Sequence, residues 1–220
     1  MTSSVRKSSV FRGWSLGLVA LAASAGQAPV ARAQDAAPAG DADRGARLSY
    51  TCIGCHGIPN YKNAVPVYNV PRLRGQHAEY IVIALQAYRS GERSHGTMHA
   101  NATTLPDQDM ADLAAYFAGE TLKPPAAPVG TPPAAAQVCV SCHGNDGVGI
   151  TPQYPTLSGQ HANYIERALI DYKKGGRKNP IMAGFAGALT DGDIKALAEY
   201  YARQRPALGI VPAPERTAAR

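Results

Sequence analysis

The run Cys52-Ile53-Gly54-Cys55-His56 restricts this chain most, because it is written a second time as Cys139-Val140-Ser141-Cys142-His143. Together the two copies use all four cysteines of the 220 residues. At this content of Cys and His, one such run arises by chance on the order of 0.002 times per chain. Whatever the chain folds into must therefore present two thiols and an imidazole from a single turn of backbone, and must do so twice.

A C-x-x-C-H run is the attachment site of a c-type haem. The two thiols add to the two vinyl groups on one edge of a porphyrin, and the adjacent His then lies under the iron. Three other chemistries use paired cysteines. A thioredoxin-like redox pair needs a βαβ setting, and no such pattern surrounds either copy. A zinc shared by two C-x-x-C knuckles requires the two regions to fold together and leaves both His residues unexplained. Two disulfides suit an oxidising compartment. The motifs predict two covalently bound haem c groups, held by Cys52, Cys55 and His56 and by Cys139, Cys142 and His143.

Residues 1–33 read as a secretory signal. Arg6, Lys7 and Arg12 form a positive start, Trp14 to Ala25 is an apolar run of 12 residues, and Ala31-Arg32-Ala33 is an A-x-A cleavage site. The run is shorter than the ~20 residues of a spanning helix. Cleavage after Ala33 and a periplasmic mature chain are expected. The signal also corrects the charge. The whole chain is +6, but residues 1–33 hold four of the 22 basic residues and none of the 16 acidic ones, so the mature chain is near +2. With haem propionates added it is close to neutral. There is no basic tract or stacking platform of the kind nucleic acid requires.

After the signal the chain repeats. Pro71 to Ile81 matches Pro155 to Ile165 at an offset of 84, with Gly-Gln-His at its centre. The same offset pairs Tyr88 with Tyr172, Arg93 with Arg177, Met98 with Met182 and Tyr116 with Tyr200. The cysteines are offset by 87, so the first repeat carries three extra residues. These fall around Tyr61 to Tyr68, whose Pro and Asn content suggests a surface loop. Lys123 to Ala136 has five prolines and no apolar period, as in a semi-rigid linker. The expected domains are 34–122 and 137–220, joined by the linker 123–136. The tail after Pro206 has no strong pattern.

Apolar spacing predicts helices over 41–52, 77–89 and 107–118, and again over about 133–142, 161–174 and 191–204. No alternating strand pattern is present, so the expected class is all-α. Each iron also wants a sixth ligand. Met98 and Met182 are repeat-matched, 42 and 39 residues after His56 and His143, in loops before the last helix. His95 and His99 flank Met98 and compete with it. The second repeat has Asn179 and Ala183 in those places. Met110 matches Ile194 and reads as core. His77 and His161 read as helix-start residues. Pro71 and Pro155 are either turn residues or carbonyl partners for the proximal His. Arg93 and Arg177 are either solvated or paired with propionates.

Taken together, the signal, the two C-x-x-C-H repeats, the G-Q-H-x-x-Y-I after each, and a Met before a final L-x-x-x-D…L-A-x-Y helix resemble the cytochrome c4 family of dihaem cytochromes. The resemblance spans essentially the whole mature chain. It implies two tandem class I cytochrome c domains related by a pseudo-twofold. It implies His/Met ligation through His56, Met98, His143 and Met182, and electron delivery toward a terminal oxidase. The partners expected are a quinol-oxidising complex or a dehydrogenase as donor, an oxidase as acceptor, and the membrane surface. Filled axial positions make the chain an electron carrier and not an enzyme. The competing readings are a dihaem peroxidase, a thiosulfate-oxidising cytochrome, or a haem subunit of a dehydrogenase complex.

Overall fold

The structure is a computed structural model that describes residues 39–125 and 127–211. The signal expected over 1–33 lies outside the described residues. The described residues belong to one compact unit that contains both repeats. Among the described residues there are helices and isolated bridges but no strand, in keeping with the all-α expectation. No described helix is long and apolar enough to cross a membrane.

The first lobe is built from α1 (Ala42–Leu48), α2 (Tyr50–His56), α3 (Ala78–Ser90), α4 (Gly96–Ala102) and α5 (Asp107–Ala118). Asp41 caps α1 by accepting from the Asp43 and Arg44 amides, which satisfies two donors that a helix start leaves free. Gly45 lets α1 cross α5 closely: a Cβ there would lie 2.0 Å from the Asp112 carbonyl oxygen. Arg44 ties the crossing through Asp109 and the buried Asp112. Ile81 of α3 packs on Leu113, Ala114, Phe117 and Ala118 of α5. Met110 is fully buried, as its match to Ile194 implies.

The second lobe keeps the plan but shortens its start. A 3-10 turn over Ala134–Val138 stands in for α1, followed by α6 (Val140–His143), α7 (Ala162–Lys174), α8 (Pro180–Gly187) and α9 (Asp191–Ala202). Its core joins Ala136, Ile165, Leu197, Ala198, Tyr200 and Tyr201. Thr190 and Asp193 form a capping box at the start of α9. In both lobes the long middle helix stops at a glycine with φ 78°, Gly91 and Gly175, where a left-handed residue closes the last turn.

Three segments differ from expectation. The extra stretch in the first lobe is more than a surface loop. It folds back on itself, with the Asn63 amide on Tyr68 O at 2.9 Å, and its buried end, Tyr68 and Asn69, lies against α7. The linker is docked: the buried Gln204 bonds both the amide and the carbonyl of Val129, at 2.8 and 2.9 Å. The patternless tail crosses between lobes. Leu208 N bonds Ser158 O at 2.8 Å, Gly209 pairs with Arg74 at 3.0 and 2.9 Å, and Val211 enters the first core. Each gain is a hydrogen bond or buried apolar surface to a residue far away in sequence, which a local pattern does not encode.

Candidate haem sites

Each C-x-x-C-H run ends a short helix, so the imidazole leaves the last turn beside the cysteines. His56 closes α2 and His143 closes α6, and both are buried. His56 Nδ1 lies 3.0 Å from Pro71 O, and His143 Nδ1 lies 2.9 Å from Pro155 O. A carbonyl only accepts, so Nδ1 carries the proton in both rings and Nε2 keeps its lone pair. Burial lowers both pKa values, against the opposing pull of those carbonyls. The rings are thus neutral, oriented and ready to donate to a metal. No disulfide links the four cysteines.

A single apolar-walled cavity is lined by Cys55, His56 and Met98 of one lobe and by Cys142, His143 and Met182 of the other. The methionines sit in short helices rather than in loops. His95 caps α4 by accepting from Met98 N at 3.2 Å, and Asn179 caps α8 by accepting from Met182 N at 3.0 Å. The caps make helices of segments whose Gly, Asn and Pro content suggests loops. They also give the first flanking His a structural task. The second, His99, turns its Nδ1 to Tyr88 O at 2.7 Å.

Arg93 and Arg177 are buried, which overturns the solvated reading. Arg93 donates to Tyr80 OH at 2.7 Å and lies over the Tyr80 and Tyr88 rings. Arg177 donates to Tyr164 OH at 3.2 Å and lies over the Tyr164 and Tyr172 rings. Backbone bonds from Ser94 to Gly176 and from Lys178 to Glu92, both 2.7 Å, hold the two segments side by side. Asp171 comes within 4.0 Å of Arg177, but among the described residues no carboxylate pairs with Arg93. Buried cations call for an anion, and both arginines line the cavity. Thiols, oriented imidazoles, thioethers and guanidinium groups around one apolar space are the donor set that two haem c groups and their propionates require.

His77 and His161 do start α3 and α7. His77 also reaches across to Gly149 O at 3.0 Å. Burial first, and Arg72 second, lower the pKa of His161 to about 4. Sequence reasoning assigned no role to Gln76 and Gln160. Each turns its side-chain amide onto the opposite lobe, Gln76 onto Thr156 and Gln160 onto Arg72. Their repeated place between Gly and His was the available signal.

Comparison with known proteins agrees with this geometry. The family described as Cytochrome c matches residues 42–119, and the family described as Cytochrome C oxidase, cbb3-type, subunit III matches residues 134–200. Cytochrome c4 of Pseudomonas aeruginosa is 34% identical over 182 residues, covering 74% of this chain and 88% of the relative. The thiosulfate dehydrogenase electron acceptor of Stutzerimonas stutzeri is 34% identical over 170 residues, covering 69% and 77%. The crystal structure of reduced recombinant cytochrome c4 from Pseudomonas stutzeri superposes with a TM-score of 0.59 at 31% identity, covering 76% of this chain and all of that one. The two motifs carry two covalent haem c groups in two helical cytochrome c domains, and the chain belongs to the cytochrome c4 family.

Proposed function

We propose that this protein carries single electrons between redox proteins of a respiratory chain, with His56 and Met98 as the axial ligands in the first lobe and His143 and Met182 in the second. One observation supports this reading above the others. Each lobe brings a tautomer-fixed, buried His and a helix-capped Met to the walls of the same cavity. Bound haem c supplies an iron that gains and loses one electron. The chain's own task is then to hold that iron still. The Pro71 and Pro155 carbonyls keep Nε2 of each His aimed inward, and thioether ligation favours the reduced state. The apolar walls limit water and so limit reorganisation. Were His and Met both to hold each iron, no position would be left for a substrate, as a carrier rather than a peroxidase requires.

The domains are assigned as 34–122 and 137–220, with 123–136 between them. Export to the periplasm with cleavage after Ala33 follows from the signal. A quinol-oxidising complex or a dehydrogenase is the donor and a terminal oxidase the acceptor. The test is the far-red methionine–iron charge-transfer band. It should account for two haems in the native protein and for one in Met182→Ala. A band unaltered by Met182→Ala refutes the assignment.

A second reading rests on the similarity to the thiosulfate dehydrogenase electron acceptor of Stutzerimonas stutzeri. On that reading the donor is a thiosulfate-oxidising enzyme and the chemistry in this chain is unchanged. Stopped-flow reduction by such an enzyme, set beside reduction by a quinol-oxidising complex, separates the two donors.

A further inference from the structure

Gln76 and Gln160 make the same crossed contact in opposite directions. Gln76 is buried in the first lobe. Its Oε1 accepts from its own neighbour His77 N at 3.0 Å and from Thr156 N of the second lobe at 2.8 Å. Its Nε2 donates to Thr156 O at 2.9 Å. Gln160 mirrors this. Its Oε1 accepts from His161 N at 3.0 Å and from Arg72 N at 2.9 Å, and its Nε2 donates to Arg72 O at 2.9 Å. The clamp needs two acceptances and one donation from a single side chain, which an amide supplies and a carboxylate does not.

The residues clamped give the contact its meaning. Thr156 follows Pro155, and Arg72 follows Pro71. The Thr156 N–H and the Pro155 C=O belong to one planar peptide unit. The acceptor on the N–H side is Gln76, and the donor on the C=O side is His143 Nδ1 at 2.9 Å. The same holds for Gln160, the Pro71–Arg72 peptide and His56 at 3.0 Å. Each is a chain of hydrogen bonds from a glutamine in one lobe, through one peptide, to the imidazole of the other lobe. Bonds in such a chain polarise one another. Drawing on the N–H makes the carbonyl a stronger acceptor, and a stronger acceptor makes the imidazole a better donor to the iron.

We infer that Gln76 and Gln160 are positioning residues whose action is crossed: Gln76 sets the basicity and orientation of His143, and Gln160 sets those of His56. This rests on the reading of the two His residues as axial ligands. A more basic imidazole stabilises the oxidised iron, so loss of a glutamine acceptor raises the midpoint potential of the haem in the opposite lobe. A glutamine that merely glued the lobes together would disturb both haems alike.

The experiment uses the full-length holoprotein with Gln76→Ala, Gln160→Ala and Gln76→Glu. Proton NMR follows exchange of the two His Nδ1–H signals, each assigned by its proximity to residues of its own lobe. Spectroelectrochemistry gives the two midpoints. In Gln76→Ala the His143 Nδ1–H should exchange about 1.5-fold faster, because its bond to Pro155 O remains and only the cooperative strengthening of that bond is lost. The second midpoint should rise while His56 and the first midpoint stay put. Gln160→Ala should give the mirror result. Gln76→Glu keeps an acceptor for Thr156 N, so the second midpoint should stay at or below its native value. It carries the test alone if the alanine variants do not fold. Shifts in the variant's own lobe, equal shifts in both, or a rise with Gln76→Glu overturn the crossed assignment. A native protein without two His/Met-ligated spectra overturns the axial reading instead, so the two failures are distinguishable.

Discussion

Asn163 and Asn69 bond each other across the lobe boundary. Asn163 Nδ2 lies 2.9 Å from Asn69 Oδ1, and Asn163 Oδ1 accepts from the Asn69 amide at 3.2 Å. Beside them Tyr68 packs on Tyr164, with ring centroids 6.4 Å apart, and Arg167 lies over the Tyr68 ring. The repeat-matched residues make a single bond on the other side, Gln153 Nε2 to Glu79 Oε1 at 2.7 Å, so the double Asn69–Asn163 contact is the stronger of the two tethers. Asn163→Ala leaves the Asn69 amide without its partner. It should cost about 1–3 kcal/mol, read as a lower thermal midpoint of the holoprotein. No change in the midpoint would mean that the loop contributes nothing to holding the lobes.

Gly45 makes a second stability prediction, with an internal control. Its hydrogen points at the Asp112 carbonyl oxygen, where a Cβ would sit 2.0 Å away. Gly45→Ala must push α1 off α5 and strain the Arg44 contacts with Asp109 and Asp112. A loss of about 3 kcal/mol is expected in denaturant unfolding. Gly192, in the first turn of α9, has only Thr190 Oγ1 nearby, at 3.7 Å. Gly192→Ala should be neutral or stabilise by up to about 1 kcal/mol.

These contacts mark where the residue order is informative. The acidic first turn of α5 and an aspartate cap on α1 are local and follow from spacing, whereas the helix expected over 41–52 breaks at Ser49 and the motif helices run on to His56 and His143. The pairing of Met98 with Met182 followed from the repeat. The burial of Arg93 and Arg177 did not, because a charged residue after a glycine reads the same whether it faces water or a haem propionate. Gln76 meets Thr156 at a separation of 80 residues, Gln160 meets Arg72 at 88, and Asn69 meets Asn163 at 94. Such pairs have no period to betray them. A repeat names equivalent residues within two lobes, but it does not say that a residue of one lobe bonds to the other.

His161 should make stability depend on pH. Burial, with Arg72 adding to it, takes its pKa down to about 4 from an unfolded value near 6.5. The folded state therefore binds fewer protons than the unfolded one between these values, and stability rises with pH across that window. The contribution is complete above about pH 6.5 and is lost as pH falls toward 4. The ring is only half-buried, so screening by solvent reduces the effect to about 1–2 kcal/mol. His161→Gln should flatten the unfolding free energy of the holoprotein between pH 4 and 6.5, relative to the native chain. A parallel slope in the variant would place the titration elsewhere.

Gln204 decides whether the proline-rich connection is a spacer or part of the second lobe. Its side chain is fully buried. Besides its two bonds to Val129, it donates to Tyr200 O at 2.9 Å. A linker made stiff by proline alone would need no such anchor, and substitution of Gln204 would then affect only α9. The observed bonds tie the segment to α9, so Gln204→Ala should free it while also leaving the Val129 amide and carbonyl without this partner. A loss of about 2–3 kcal/mol is expected. Limited proteolysis gives a separate readout. Cleavage within 127–133 should quicken in the variant while both haem-bearing lobes remain intact, because local opening exposes the chain there first. Equal cleavage rates in the native chain and the variant would show that the linker was already free.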